Sequence, residues 1–234
     1  EEVGEFEHGL APAAKGGRYG YIDARGNEVI PFSFDGAMRF HHGMAVVVIN
    51  DQRGVIDTKG ELVVPCAYDW VEGFLSKPLS RMRKGGHMGI INRFGEVVLA
   101  AEHDHVGPFK DGLSLVIDQG KCGYVDTKGL WVIPQRYEAN ALTIGMGDFH
   151  NGLARVLSGG KWGMVDTAGN RVVQPQYANI GLLEGGLIPV KRKNSWGYIK
   201  RPFTNVVAAK YDQAWEVHAG CGRVEWGGLF GLID

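Results

Sequence analysis

The stretch Lys161-Trp162-Gly163-Met164-Val165-Asp166 decides the fold, because its glycine, followed by two apolar residues and usually an aspartate, returns along the whole chain. Successive copies lie 34, 35, 34, 40, 34 and 34 residues apart. A fixed period of this length is the signature of a repeat protein, in which one small unit is copied and stacked. The anchor glycines are Gly20, Gly54, Gly89, Gly123, Gly163, Gly197 and Gly231.

Each unit has the composition of short β-strands joined by tight turns. Its pieces are four to six residues long, rich in Val, Ile and aromatics, and bounded by Gly, Pro or Asp. We name the predicted strands a, b, c and d, with the anchor glycine in b. The glycines sit at fixed phases of the period and are interpreted as turn residues.

Two local motifs separate the predicted strands. Asp-x-x-Gly, as at Asp57 to Gly60, predicts a turn in which the aspartate accepts a hydrogen bond from the backbone N–H two residues on. The glycine then supplies the positive φ that closes the reversal. Val-Ile-Pro, at 29–31 and 132–134, predicts the end of strand c, because proline cannot donate to a ladder.

The predicted fold is all-β, with about seven antiparallel units of roughly 34 residues. A propeller-like closed arrangement is favoured, and an open β-solenoid or superhelical array is the alternative. The whole of 1–234 is expected to be a single repeat domain with seven d-a-b sets and six c strands. The predicted units are 1–23 (partial), 24–57, 58–92, 93–126, 127–166, 167–200 and 201–234.

Composition disfavours several classes of function. The net charge is −1, from 25 basic and 26 acidic residues, so no long-range field attracts nucleic acid or an anionic membrane. No apolar run approaches the roughly 20 residues of a membrane-spanning helix. Cys66, Cys122 and Cys221 follow no metal-ligand spacing and are interpreted as buried small apolar residues. Neither a cofactor nor a metal is expected.

The phase of the repeat, with Lys161–Asp166 and Ser195-Trp196-Gly197-Tyr198-Ile199, resembles the bacterial WG-repeat (KWG-repeat) family over essentially the whole chain. Trp162 and Trp196 keep the family's tryptophan, which other units replace. The resemblance implies a bacterial all-β repeat protein. The compartment stays open between bacterial cytoplasm and periplasm, and the start at Glu1 without methionine is consistent with a removed leader. Members look like interaction modules, and some look like immunity proteins beside toxins. The family offers no catalytic signature to transfer.

An insertion interrupts the period between Tyr137 and Gly152, where six extra residues are present. Both flanks keep register, so the insertion is expected to bulge from the loop between strands d and a, and repeat proteins often place such insertions on a working face. Leu142, Thr143, Ile144 and Met146 are the predicted contact residues for a protein partner. The alternative is that Leu142 and Ile144 fold back as an extra strand.

Histidines and tryptophans supply the other candidate binding residues. His41, His42 and His150, with His8 and His218, occupy the two positions before the glycine that begins strand a. Several imidazoles on one face would suit a metal or an acid-sensed partner, whereas a two-residue turn would simply favour polar residues. Trp131 and Trp226 lie outside the repeat slots and are predicted to be partly exposed. There they would stack on sugars or anchor a protein.

Three functions remain open at this point. The first is a non-catalytic protein-binding module, as an immunity or inhibitor protein that neutralises a bacterial toxin or enzyme, or as a binder of a cell-surface protein. The second is a lectin-like protein that binds carbohydrate or cell wall. The third is an enzyme with a histidine site drawn from several repeats, such as His42, His150 and His218. It is disfavoured because the sequence lacks nucleophile, phosphate-loop and dinucleotide motifs.

Overall fold

The computed structural model describes residues 3–74, 77–218 and 220–233, without the side chains of 205, 206 and 218. These residues form 25 strands and one six-residue helix, which confirms the predicted all-β class. In this described part, no helix has the length and apolar character needed to cross a bilayer. The chain divides into two compact units, Glu1–Val106 and Gly107–Asp234. Both units are built from the same kind of sheet.

The strands fall into the four predicted classes. The a strands are β1 (Leu10–Lys15), β5 (Met44–Ile49), β9 (Leu79–Lys84), β13 (Leu113–Asp118), β16 (Leu153–Ser158), β20 (Leu187–Arg192) and β24 (Cys221–Trp226). The b strands are β2 (Arg18–Asp23), β6 (Gln52–Asp57), β10 (His87–Asn92), β14 (Lys121–Asp126), β17 (Lys161–Asp166), β21 (Ser195–Lys200) and β25 (Leu229–Ile233). The c strands are β3 (Glu28–Phe34), β7 (Leu62–Tyr68), β11 (Val97–His103), β15 (Trp131–Glu138), β18 (Arg171–Tyr177) and β22 (Thr204–Tyr211). The d strands are β4 (Gly36–Ala37), β8 (Trp70–Val71), β12 (His105–Val106), β19 (Asn179–Ile180) and β23 (Gln213–His218).

A complete sheet is an antiparallel meander in the order d-a-b-c, the arrangement of a propeller blade. Among the described residues, five of the seven predicted d strands are present, because no d strand precedes β1 or β16. In the Glu1–Val106 unit, β4-β5-β6-β7 and β8-β9-β10-β11 are complete four-stranded sheets, and β1-β2-β3 lies beside them. In the Gly107–Asp234 unit, β13 to β18 form one sheet, followed by β19-β20-β21-β22 and β23-β24-β25. The repeated antiparallel unit is therefore confirmed. The choice between a closed ring and an open array stays a prediction, as does the single domain over 1–234.

The Asp-x-x-Gly turns have the predicted geometry. The Oδ1 atom of Asp166 accepts hydrogen bonds from the backbone N–H of Ala168 at 3.0 Å and of Asn170 at 2.8 Å. The N–H of Gly169 donates to the Asp166 carbonyl at 2.9 Å, and Gly169 has a φ of +84°. These bonds keep the Asp166 carboxylate ionised in the turn and lower its pKa, with the side chain of Asn170 as the largest cause.

The anchor glycines lie in strand b, as predicted, and they serve a different purpose from the glycines of the turns. Gly163 lies in the middle of strand β17, opposite a bulge in β18, where the register jumps from Trp162–Tyr177 to Met164–Val173. A Cβ atom on Gly163 would lie 2.5 Å from the Val173 carbonyl oxygen. The glycine is required because strand c packs its backbone directly on strand b. At Gly20, Gly54, Gly89, Gly123 and Gly197 the same contact would be 2.4–2.6 Å.

The predicted end of strand c at proline is also wrong. Pro31 lies inside β3 and Pro134 inside β15, and both strands continue for several residues. The prolines sit in the bulge that packs on the anchor glycine, where a ladder hydrogen bond is already missing.

The core is assembled from equivalent positions of successive repeats. In six repeats the residue that follows the anchor glycine is almost completely buried. These residues are Tyr21, Val55, Ile90, Tyr124, Met164 and Tyr198. Leu232 occupies the same slot in β25 but is 73 % exposed. Of the cysteines, Cys122 is buried and Cys66 is half-buried, whereas Cys221 is exposed, so its predicted burial is wrong.

Candidate functional site

The insertion folds as helix α1, Ala141–Met146, and the alternative of an extra strand is wrong. Asn140 caps the helix, because its Oδ1 accepts from the backbone N–H of Leu142 at 2.9 Å and of Thr143 at 3.2 Å. The Thr143 hydroxyl accepts in return from the N–H of Asn140 at 3.1 Å. This capping box satisfies backbone donors that a short helix would otherwise leave unpaired.

Two side chains from the core hold the other end of α1. The Tyr124 hydroxyl donates to the Gly147 carbonyl at 2.6 Å, and Nε of Arg155 donates to the Met146 carbonyl at 2.8 Å. Burial raises the pKa of Tyr124 and lowers that of Arg155. A six-residue helix is marginal by itself, so these contacts fix its position on the sheet.

The helix buries one side chain and exposes two larger apolar ones. Thr143 is fully buried and Met146 is half-buried. Leu142 is 58 % exposed and Ile144 is 48 % exposed. Apolar side chains held outward on an anchored element are the kind that fill a pocket on a partner, because little side-chain and backbone entropy is lost on binding. This makes α1 the strongest candidate for a contact site.

Sequence reasoning found the exposed residues of this site and missed those that hold it. Asn140 and Thr143 form a capping box with the Asn-x-x-Thr spacing, which is readable from the sequence. Tyr124 could have been noticed because tyrosine recurs at this repeat position, directly after the anchor glycine. Arg155 could have been noticed as a long cation between apolar residues of strand a.

The histidine turns follow a backbone rule. His42 and Gly43 have φ values of +50° and +79°, and His41 and Met44 exchange backbone hydrogen bonds around them. Few residues other than glycine tolerate a positive φ, and Asn, Asp and His are the most frequent of them. Asn151 is the matching residue in a later repeat, with a φ of +52°. The turn geometry therefore explains why polar residues collect at this position.

The flanking histidines pair with carboxylates of neighbouring repeats. Nδ1 of His41 lies 3.2 Å from a carboxylate oxygen of Glu7, and Nε2 of His150 contacts Glu184. The two residues of each pair are 34 residues apart and occupy the same position of successive turns. The contacts therefore link successive turns within a unit. Among the described side chains, no group of three His, Cys, Asp or Glu residues is arranged to hold a metal ion. The side chain of His218 lies outside the described residues.

The tryptophans divide into buried and exposed ones. Trp162 lies in the core of its sheet, and Trp196 is half-buried with the Lys191 ammonium 5.7 Å from its ring centre. Trp131 is 41 % exposed and Trp226 is 63 % exposed, in agreement with their predicted partial exposure. The ammonium group of Lys210 lies 5.8 Å from the Trp226 ring centre. Trp226 therefore offers one of the larger accessible aromatic surfaces in the described part of the chain.

Comparisons with known proteins identify the repeat. A family model described as "WG containing repeat" matches residues 19–52, 54–86, 88–122, 123–162 and 162–195, which is more than half of the chain. No curated protein matches the chain.

Similar solved structures include three proteins of low sequence identity. The first, described as the eukaryotic initiation factor, has 10 % identity and a TM-score of 0.45, over 95 % of this chain and 70 % of that chain. Kluyveromyces lactis Hsv2p has 12 % identity and a TM-score of 0.37, over 97 % of this chain and 90 % of that chain. The dihydro-heme d1 dehydrogenase NirN has 12 % identity and a TM-score of 0.36, over 100 % of this chain and 63 % of that chain. At TM-scores below 0.5, these likenesses assign neither fold nor function.

Proposed function

Because the chain belongs to the WG-repeat family, we propose that it is a non-catalytic protein-binding module whose contact site includes helix α1. The observation that carries the proposal is the outward position of Leu142 and Ile144 on a helix fixed by Asn140, Tyr124 and Arg155. Exposed apolar side chains held on an anchored helix favour a binding role, because little entropy is lost when they enter a pocket on a partner.

The partner class that we propose is a toxin or an enzyme that the module neutralises by covering its active site. The support is the resemblance to repeat proteins that look like immunity proteins, together with a net charge of −1 that does not favour nucleic acid. Such a partner would be encoded beside the gene for this chain, so the products of the neighbouring genes are the first binding candidates.

A binding titration with paired variants tests the contact site. The variant Leu142→Ser/Ile144→Ser is expected to weaken the complex by about 30-fold or more, because truncating a central apolar anchor costs about 2 kcal/mol. The control Leu62→Ser/Val97→Ser removes two similarly exposed apolar side chains from c strands and is expected to leave affinity unchanged. Equal affinity of both variants for the partner would refute the assignment of α1.

Carbohydrate binding is the second candidate, because Trp226 and Trp131 expose indole rings that can stack on sugars. A glycan array identifies the ligand, and intrinsic fluorescence reports whether it reaches the indoles. Trp226→Ala is expected to abolish the signal, with Trp131→Ala as the comparison. An array without signal removes this function.

A further inference from the structure

A cleft of about 230 Å³ opens beside Val55 in the Glu1–Val106 unit. Its buried wall is apolar and includes Val46, Val55 and Phe74. Met38 and Glu72 line its exposed side. An engineered apolar cavity of about 150 Å³ binds benzene, so this cleft has room for an aromatic ring.

Three other repeats fill the equivalent slot with a tyrosine of their own. Each of these tyrosines follows an anchor glycine, is fully buried, and donates its hydroxyl hydrogen to a backbone carbonyl. The donor and acceptor pairs are Tyr21 and Met38 at 2.7 Å, Tyr124 and Gly147 at 2.6 Å, and Tyr198 and Trp215 at 2.8 Å. Two of the rings also pack against a phenylalanine, with centroids 4.7 Å apart for Tyr21–Phe40 and 4.9 Å apart for Tyr124–Phe149.

Val55 occupies this slot in the second repeat, and two residues that contact Tyr21 in the first repeat have counterparts around Val55. Phe74 is the counterpart of Phe40, 34 residues later, and Glu72 is the counterpart of Met38. The backbone N–H of Glu72 donates to the Arg81 carbonyl at 3.0 Å, as the N–H of Met38 donates to Val46 at 2.9 Å.

The side chains that pack around the slot are similar in type in the two repeats. Val55 packs in a cluster with Val64, Tyr68 and Phe74, and Met82 of this cluster stands where Val47 packs in the cluster of Tyr21. Tyr21 packs with the residues 34 positions earlier, Ile30, Phe34 and Phe40. The backbone carbonyl and the flanking ring that receive a phenol are therefore in place, and the phenol itself is missing.

Charged side chains at the cleft are already paired within the chain. The guanidinium of Arg39 pairs with Glu5 and donates to His41 at 2.9 Å. Glu72 receives two hydrogen bonds from Arg81, at 2.6 and 3.0 Å. A charged ligand would have to give up its hydration beside an apolar wall without gaining an unpaired counter-ion. An uncharged ring is the better match.

We propose that the Val55 cleft binds the phenol ring of a tyrosine side chain from a partner protein. The ring packs against Phe74 and Val46, and the hydroxyl donates to the backbone carbonyl of Glu72, as Tyr21 donates to Met38. The choice of a phenol depends only on the cleft and its filled counterparts. Its delivery by a protein rests on the proposed protein-binding function.

The test uses p-cresol, the side chain of tyrosine as a free molecule, and the full chain with labelled methyl groups. We expect intermolecular nuclear Overhauser effects from the p-cresol ring to the methyl groups of Val46 and Val55. The dissociation constant should lie in the millimolar range, because so small a ligand makes few contacts. Toluene lacks the hydroxyl and is expected to bind at least about fivefold more weakly, as the loss of one hydrogen bond of about 1 kcal/mol implies.

Val55→Tyr supplies the missing ring from within and is expected to abolish p-cresol binding. The matched control Val97→Tyr makes the same substitution at an exposed strand position and should leave binding unchanged. Absence of p-cresol binding to the unmodified chain, or effects at other methyl groups only, overturns the site. Equal affinity for toluene overturns the hydroxyl contact. These readouts do not depend on α1, so failure of the proposed partner site and failure of the cleft are separate results.

Discussion

The Tyr124 hydroxyl donates a 2.6 Å hydrogen bond to the carbonyl of Gly147, the residue that ends helix α1. The same ring packs edge-on against Phe149, just beyond the insertion. One core side chain of strand β14 thus fixes both the end of the inserted helix and the return of the chain to the repeat.

Removing this hydroxyl should destabilise the protein. Tyr124→Phe is expected to lower the free energy of unfolding by about 1–3 kcal/mol, because the buried Gly147 carbonyl loses its donor. Denaturant unfolding measures the loss, and hydrogen exchange should show faster opening of α1. The control Tyr137→Phe removes a buried hydroxyl that accepts a 3.5 Å bond from Arg171, and it should cost clearly less. A similar loss in both variants would contradict the role given to the Tyr124 bond.

The anchor glycine gives a second prediction, with a control that the chain itself provides. Gly163→Ala would place a Cβ 2.5 Å from the Val173 carbonyl oxygen and 2.7 Å from the backbone nitrogen of Pro175. The backbone has to move, so the free energy of unfolding should fall by about 2–3 kcal/mol.

Gly231→Ala makes the same change in β25, where the nearest atom to the added Cβ is 3.7 Å away. It should alter stability by no more than about 0.5 kcal/mol. The urea midpoints of unfolding of the two variants measure the difference between their stability losses. Comparable losses would mean that close approach of strand c is not what requires the glycine.

Buried tyrosines predict a loss of stability at alkaline pH. Burial raises the pKa of Tyr198 to about 12, from an ordinary value of about 10. The folded chain therefore holds this proton more tightly than the unfolded chain does. The resulting stability is complete below about pH 10 and disappears as the pH rises through 12.

Urea unfolding at pH 8, 10 and 11 should show this decline, and absorbance at 295 nm should show late ionisation of the buried phenols. Burial also raises the pKa of Tyr21, Tyr68 and Tyr124 and of the Cys122 thiol, so the decline belongs to all of these groups. Tyr198→Phe is expected to make the decline shallower without removing it. An unchanged slope in this variant would count against the contribution of Tyr198.

The features that could be predicted from the sequence are those set by residues close together along the chain. The turn at Asp57 to Gly60 is set within four residues, and it forms as predicted, with Asp57 accepting from the N–H of Lys59 at 2.9 Å. The reason for glycine at position 163 was not predictable, because the atoms that exclude a side chain belong to Val173 and Pro175, ten and more residues away in the next strand.

The candidate site was predictable only in part, for similar reasons. The exposed Leu142 and Ile144 stood out because the insertion breaks the period, but six residues are too few for helical periodicity to be recognised. The cleft at Val55 depends on side chains that meet only in the folded chain, where Tyr21 fills the corresponding slot of the preceding repeat. A valine in an apolar strand carries no such signal by itself.

The last prediction recreates the Val55 cleft in the preceding repeat. Tyr21→Val removes a fully buried ring and its 2.7 Å hydrogen bond to the Met38 carbonyl. It should lower the free energy of unfolding by about 3–4 kcal/mol, through lost burial, the space left behind and the unpaired carbonyl.

Although Tyr21→Val loses stability, it is expected to gain a second binding site for a phenol ring. Titration of Tyr21→Val with p-cresol should show two bound molecules instead of one, and p-cresol should raise its melting temperature more than that of the unmodified chain. Tyr21→Phe keeps the ring and loses only the hydroxyl, so it should be destabilised by about 1–2 kcal/mol and still bind one molecule. If Tyr21→Val folds but binds a single p-cresol, a vacated tyrosine slot is not sufficient to make a site. The cleft at Val55 would then owe its binding to the side chains that differ between the two repeats, such as Met44 in place of Leu10 and Met82 in place of Val47.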